Sequence, residues 1–291
     1  MTGPSVGVVF RPQLPPHRLR SVAMAADAAG LDELWLWEDC FFEAGISAAA
    51  AALAWTSRIR VGIGLLPVPL RNVALTAMEA ATLSGLFPGR IALGIGHGVL
   101  DWMAQVGARV DSPMTLLREH ATALRSLLAG ERVTTHGRYV HLDNVALDWP
   151  PVHVPPLVIG AVGPRTIGLS GELADRTLLT SGTSPEMVRQ ARALLDEARS
   201  AAGVAGPHTI TVYLIAITGP DAAERLAAEL RSWSLDPADD VAITGGAQEL
   251  AEGIRRWTEA GADAVVLQPT ADEPDLEGFI DLIGREVRPL C

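Results

Sequence analysis

The 291-residue chain is 48% hydrophobic and 20% charged, enough apolar sequence for a globular core and too much for a disordered or fibrous chain. Its formal charge of −11 includes 23 basic residues, all arginine. Schiff-base, P-loop and protein-kinase lysines are therefore excluded, and no basic block offers itself to nucleic acid or an anionic membrane.

Two cysteines, Cys40 and Cys291, form no C-x-x-C pair, which supports neither a zinc knuckle nor a disulfide framework and fits a reducing compartment. The amino-terminal MTGPSVGVVFRPQ has no basic stretch ahead of a long apolar run. No apolar run elsewhere reaches the roughly 18 residues of a membrane span. A cytoplasmic chain with no membrane or nucleic-acid partner is expected.

In chain order, short β-branched runs alternate with helical patterns. The strand candidates are Val6–Phe10, Glu33–Trp37, Arg60–Leu65, Arg90–Ile95, Leu157–Val162, Arg176–Thr180, Thr209–Thr218 and Ala264–Gln268. Between them, Leu19, Val22, Ala26 and Ala29 share one helix face, Leu117, Ala121, Leu124 and Leu128 a second, and Leu250, Ile254 and Trp257 a third. Ser112-Pro113 and Ser184-Pro185 place an N-cap before a first-turn proline, and Gly130, Gly203 and Gly261 stand at C′ positions.

Eight β/α units of this length predict an α/β fold, a single (β/α)8 TIM barrel over residues 1–291. The spacing breaks after the fourth strand. Residues 97–156 read as an insertion with a helix and a hairpin-like stretch, Arg132–Trp149, on the face where barrels place their active sites. That insertion is expected to form a substrate wall or lid.

Strand ends then nominate the site: Phe10-Arg11, Glu38-Asp39-Cys40, Gly64-Leu65-Leu66, Gly96-His97-Gly98, Gly160-Ala161-Val162-Gly163, Thr180-Ser181-Gly182 and Gln268. Glycines crowd four of these groups and let a backbone approach a flat ligand or an anion, which implies a large cofactor. GIGHG at Gly94–Gly98 has the wrong spacing for a dinucleotide fingerprint. GAVGPRT at Gly160–Thr166 suits an anion better, since Pro164 can open a helix and Arg165 adds a positive charge, although an ordinary β/α turn with a solvated arginine reads the same way. No H-E-x-x-H and no G-x-S-x-G occur, and the seven histidines are scattered, so no metal site is expected.

The stretches DELWLWEDCF (32–41), ALAWTSRIRVGIGLLPVPLRNVALTAMEAATL (52–83), PGRIALGIGHG (88–98) and PLVIGAVGPRTIGLSGELAD (156–175) together resemble the luciferase-like superfamily. More closely, they resemble its deazaflavin-dependent branch, which includes methylenetetrahydromethanopterin reductase. The resemblance implies coenzyme F420, with FMN as the alternative, bound at the carboxyl ends of the strands, and hydride transfer to or from a small substrate with an activated C=C or C=N bond. It places a catalytic pair on Asp39-Cys40, with cysteine where the branch usually has histidine. It also places a cis-peptide bulge on Gly64-Leu65, a ring-edge loop on Gly96-His97-Gly98, and a phosphate loop on Gly160 to Arg165.

His97, with an ordinary pKa of about 6.5, is a candidate proton donor beside Asp39 and Cys40. Ser181 and Gly182 complete the expected cofactor contacts, and Phe10 and Trp102 the substrate contacts. Trp35, Trp37, Trp55, Trp149 and Trp257 read as core. Two other functions fit the same sequence, an FMN-dependent monooxygenase and a barrel that binds flavin without turnover. A homodimer is expected, since Ile46–Ala54 is small-sided enough for two helices to approach and members of the family pair through neighbouring helices.

Overall fold

A computed structural model describes residues 3–291. In order come β1 (Ser5–Phe10), α1 (Leu19–Ala28), β2 (Glu33–Leu36), α2 (Gly45–Trp55), β3 (Arg60–Pro67), α3 (Val73–Leu86) and β4 (Ile91–Gly96). The insertion carries α4 (Leu100–Gln105), α5 (Pro113–Leu128), β5 (Val133–His136) and β6 (His141–Val145). The remaining units are β7 (Leu157–Ala161), α6 (Pro164–Leu173), β8 (Arg176–Leu179), α7 (Pro185–Ala202), β9 (Thr209–Ile217), α8 (Ala222–Ser232), β10 (Ala242–Thr244), α9 (Ala247–Glu259), β11 (Ala264–Gln268) and α10 (Leu276–Leu282).

Eight parallel strands close on themselves in the order β1, β2, β3, β4, β7, β8, β9, β11, with β8 pairing β9 and β11 pairing β1. Each of the eight expected strands is present within a residue or two at either end. The ninth strand in the sheet, β10, was not expected. It is three residues long, too short to show alternation, and pairs with the last three residues of β9 beyond the end of β8. The insertion holds two helices rather than one, followed by the antiparallel β5–β6 hairpin.

Period-two alternation decides what each strand side chain meets. Val6, Val8 and Phe10 pack outward with the helices, whereas Val9, Trp35, Trp37, Ala92, Val158, Leu178, Tyr213 and Val266 form a separate cluster inside the barrel. The three expected helix faces are buried against the sheet. Gly130, Gly203 and Gly261 have φ of 81°, 66° and 115°, the left-handed geometry of a C′ residue. The caps divide. Ser184 Oγ accepts from the Met187 amide, but Ser112 Oγ turns to the Thr115 hydroxyl at 2.8 Å while its amide donates to Tyr139.

At the amino-terminal end of the barrel a carboxylate is buried. Glu33 accepts from Arg60, Arg176 and the Trp35 indole at 2.8–3.1 Å. Burial would raise its pKa, but Arg176 and Arg60, with the Trp35 hydrogen bond, hold it below the ordinary glutamate value. At this end the Glu33 charge is satisfied within the fold. Among the described residues, no helix is long and apolar enough to cross a membrane, and no group of three or more His, Cys, Asp or Glu residues could hold a metal.

Candidate active site

A cavity of about 510 Å³ opens at the carboxyl ends of the strands. Its floor begins at β3, where the register against β4 shifts between Ile63 and Leu66 and the Gly64–Leu65 peptide is cis. Leu65 thereby projects across β4 and β7. An added Cβ at Gly96 or Gly160 would collide with its Cδ2 atom, so glycine at both positions lets the leucine form a flat apolar shelf. Tyr213 lies beneath, its hydroxyl 3.5 Å from the Gly64 carbonyl, and burial raises its pKa well above the ordinary phenol value, so it stays protonated.

One wall carries Trp37, Asp39 and Trp233. The Trp37 and Trp233 rings meet edge to face with centroids 6.1 Å apart, and the Arg11 guanidinium lies 5.7 and 5.9 Å from them. Arg11 is 4% exposed, ion-paired to Glu229, and also donates to the Pro269 carbonyl at 3.1 Å. Glu229 accepts in addition from the Trp233 indole at 2.8 Å and the Gln268 amide at 3.4 Å. Gln268 in turn takes the Ser181 hydroxyl. This buried network fixes α8 and Trp233 over the barrel mouth.

Asp39 faces the cavity, and its carboxyl is pushed up to about 6 by burial, against the opposing charge of Arg11. A group of that pKa exchanges protons near neutrality. Cys40 differs from expectation. Its side chain is outside the cavity wall, and burial together with the Asp39 and Glu38 charges raises its pKa, so the thiol holds its proton.

On the far wall, His97 Nε2 lies 3.3 Å from Thr166 Oγ1, and Nδ1 is buried without a hydrogen-bond partner among the described residues. Burial lowers its pKa, partly offset by the Pro113 carbonyl, so His97 is a neutral imidazole at neutral pH. The insertion contributes Val99 and Trp102 beside it.

Of the expected site residues, the cavity brings together Asp39, Gly64, Leu65, His97, Gly98, Trp102, Gly160, Ala161, Val162, Gly163 and Ser181. Gly96 lies behind Leu65, and Gly182, at φ 89°, packs behind Ser181 against Leu235. Arg165 is exposed in the first turn of α6, outside the wall. Phe10 is the clear correction. It is fully buried in the outer core, because the parity of β1 turns Val9 inward and Phe10 toward the helices.

Glu38, nominated as a strand-end position, lines the cavity, and so do Trp37, Tyr213 and Trp233, which were not expected there. The inward parity of Trp35 and Trp37 is a signal that could have found Trp37. Trp233 has no such signal, because it follows α8 rather than a strand.

A family model described as luciferase-like monooxygenase matches residues 4–272. The chain is 30% identical over 176 residues to the 5,10-methylenetetrahydromethanopterin reductase of Methanolobus tindarius, a match covering 60% of this chain and 53% of that protein. It is 26% identical to the F420-dependent glucose-6-phosphate dehydrogenase of Nakamurella multipartita, over 95% of this chain and 93% of that one. Among solved structures, an F420-dependent secondary alcohol dehydrogenase in complex with an F420–acetone adduct superposes with a TM-score of 0.88 at 21% identity, each chain covered to 99%. With relatives named as reductases and dehydrogenases, and a cavity at the catalytic face of a barrel, the chain is an enzyme.

Proposed function

The chain belongs to the luciferase-like monooxygenase family, and on that footing we propose that it is an F420-dependent oxidoreductase acting on a small organic substrate. The observation that carries this reading is the Leu65 shelf over Gly96 and Gly160, with the Asp39 carboxyl, of pKa about 6, in the same cavity. The shelf suits a flat tricyclic ring, and the apolar lining suits its faces. When bound, a deazaflavin supplies hydride exchange.

The chain supplies the rest. Leu65 would support the ring, and the backbone of Gly160–Gly163 with the first turn of α6 would receive the phosphate, with Arg165 nearby. Asp39 gives or takes the proton that accompanies the hydride, at a carboxylate oxygen. His97 and Thr166 offer neutral hydrogen bonds. Trp102 and Val99 exclude water from the substrate side. The reacting group is an activated C=C or C=N bond, or the carbonyl–alcohol pair that the secondary alcohol dehydrogenase exemplifies.

The family description favours a second reading, an FMN-dependent monooxygenase, since the shelf accepts either ring. Titration with F420 and FMN, followed by fluorescence quenching, separates them. Tighter F420 binding is expected, whereas tighter FMN binding with flavin-dependent oxygen uptake overturns the main reading, and binding of either without turnover of any substrate favours a carrier. We also propose a homodimer. Leu75, Met78 and Leu86 are 46–66% exposed on α3, an apolar face suited to a second copy. A monomeric mass in light scattering at micromolar concentration removes that assignment.

A further inference from the structure

We propose that the substrate end of this cavity, between the Trp37–Trp233 corner and Asp39, selects an uncharged, largely apolar molecule with one polar group for Asp39, and rejects phosphorylated or carboxylated compounds. The inference rests on the cofactor reading above only for which end the substrate takes.

Its basis is the charge of the wall. The charged side chains lining the cavity are Glu38 and Asp39, both acidic. Arg165 stands at the opposite, phosphate end, and the cations beside the Asp39 end are already committed. Arg11 lies behind the two indoles on Glu229 and the Pro269 carbonyl. Arg71, 12% exposed, is held by Glu38 at 2.7 Å and Glu79 at 2.5 Å. His97 is neutral, Tyr213 is protonated, and the chain contains no lysine to swing in from elsewhere.

A phosphate or carboxylate buried here would give up its water for no charge-assisted partner and would meet the Asp39 carboxylate as a like charge. Trp37, Trp102, Trp233, Leu65, Val99 and Pro67 make the surface around Asp39 largely apolar, which rewards apolar contact, and its remaining polar groups are neutral. The opposite end, at Gly163 and the first turn of α6, is the one assigned above to the cofactor phosphate.

The test uses one skeleton with and without a charge: benzyl alcohol, para-hydroxymethylbenzoate, and the methyl ester of the latter as a neutral control of equal bulk. Binding is measured by equilibrium dialysis at about pH 8, where Asp39 is ionised. It is run on the F420-loaded protein and on the chain alone with excess inorganic phosphate, which fills the Gly163 end.

Both neutral probes are expected to bind at least about tenfold more tightly than the carboxylate in each preparation, a difference of about 1.4 kcal/mol. Asp39→Asn is expected to cut that ratio to less than half its value. Carboxylate binding equal to or tighter than the ester overturns the proposal, as does a ratio that Asp39→Asn leaves above half, or failure of the neutral probes to bind. Failure of F420 itself to bind counts against the proposed function, while the ratio on the chain alone still decides charge selection.

Discussion

Leu65 occupies the volume that a side chain at Gly160 would need, so one glycine on β7 sets the position of a leucine on β3. Gly160→Ala is expected to displace Leu65 and tilt the shelf. F420 affinity should fall at least about tenfold, and overpacking should cost about 1–3 kcal/mol in denaturant unfolding. Adding Leu65→Ala should restore the stability and leave the affinity low. An unchanged dissociation constant in Gly160→Ala would remove the shelf from the account of cofactor binding.

Asp39 makes a pH signature available without any substrate. Its folded pKa, about 6, lies above the ordinary 3.8, so its favourable contribution is complete below the unfolded value and is lost as pH rises through about 6. The gap corresponds to about 3 kcal/mol at full burial, which solvent contact at the cavity mouth reduces to about 1–2 kcal/mol. Asp39→Asn should therefore stabilise the protein by that amount at about pH 7 and hardly at all near pH 3.5. Equal effects at both pH values would show that the carboxyl is not raised.

Arg165 is exposed, so the contact proposed for it with a cofactor phosphate would be screened and worth about 1 kcal/mol. Arg165→Ala should weaken F420 about three- to tenfold, with the loss shrinking at high salt. A deazaflavin lacking the phosphate should bind the variant and the parent alike. Equal losses for both ligands would mean that the loop itself had collapsed.

The Glu33 cluster lies at the other end of the barrel and separates stability from chemistry. Glu33→Gln leaves Arg176, 15% exposed, without its carboxylate, and should cost about 3–5 kcal/mol with F420 affinity unchanged where the protein is folded. Since the Glu33 pKa is lowered, its contribution is full above the ordinary glutamate range and is lost as pH falls below it. The parent should therefore lose more stability than the variant on acidification, which paired unfolding curves at neutral and acid pH would show.

The barrel was legible because its eight strands are β-branched runs separated by periodic helices, and because Gly130, Gly203 and Gly261 mark helix ends by a conformation few other residues adopt. The strand ends gave most of the cavity for the same reason, since a barrel fixes where its strands point. What was not legible depends on contacts distant in sequence. Phe10 followed from its place at a strand end, yet side-chain parity puts it in the outer core. Trp233 reaches the site only because Glu229, 218 positions from Arg11, holds α8 over the mouth. The protonated state of Cys40 comes from the surrounding burial and charge, which spacing does not encode.

Glu229 is the last of these distant contacts and the most consequential for the site. It is 6% exposed and takes N–H groups from Arg11, Trp233 and Gln268, so three elements converge on one carboxylate. Glu229→Ala strands the Arg11 charge in the interior and should cost about 3–5 kcal/mol. Glu229→Gln keeps the shape and can still accept, so it should cost less and leave a folded protein. In that variant the Arg11 charge is no longer offset by Glu229 and acts more fully on Asp39, whose pKa it already lowers. Asp39 should then titrate below about 6, so the stabilisation by Asp39→Asn at about pH 7 should be smaller and should level off at a lower pH. If the Asp39 titration stays at about 6 in Glu229→Gln, Arg11 is fixed by the Pro269 carbonyl and the two indoles instead, and Glu229 serves only to anchor α8.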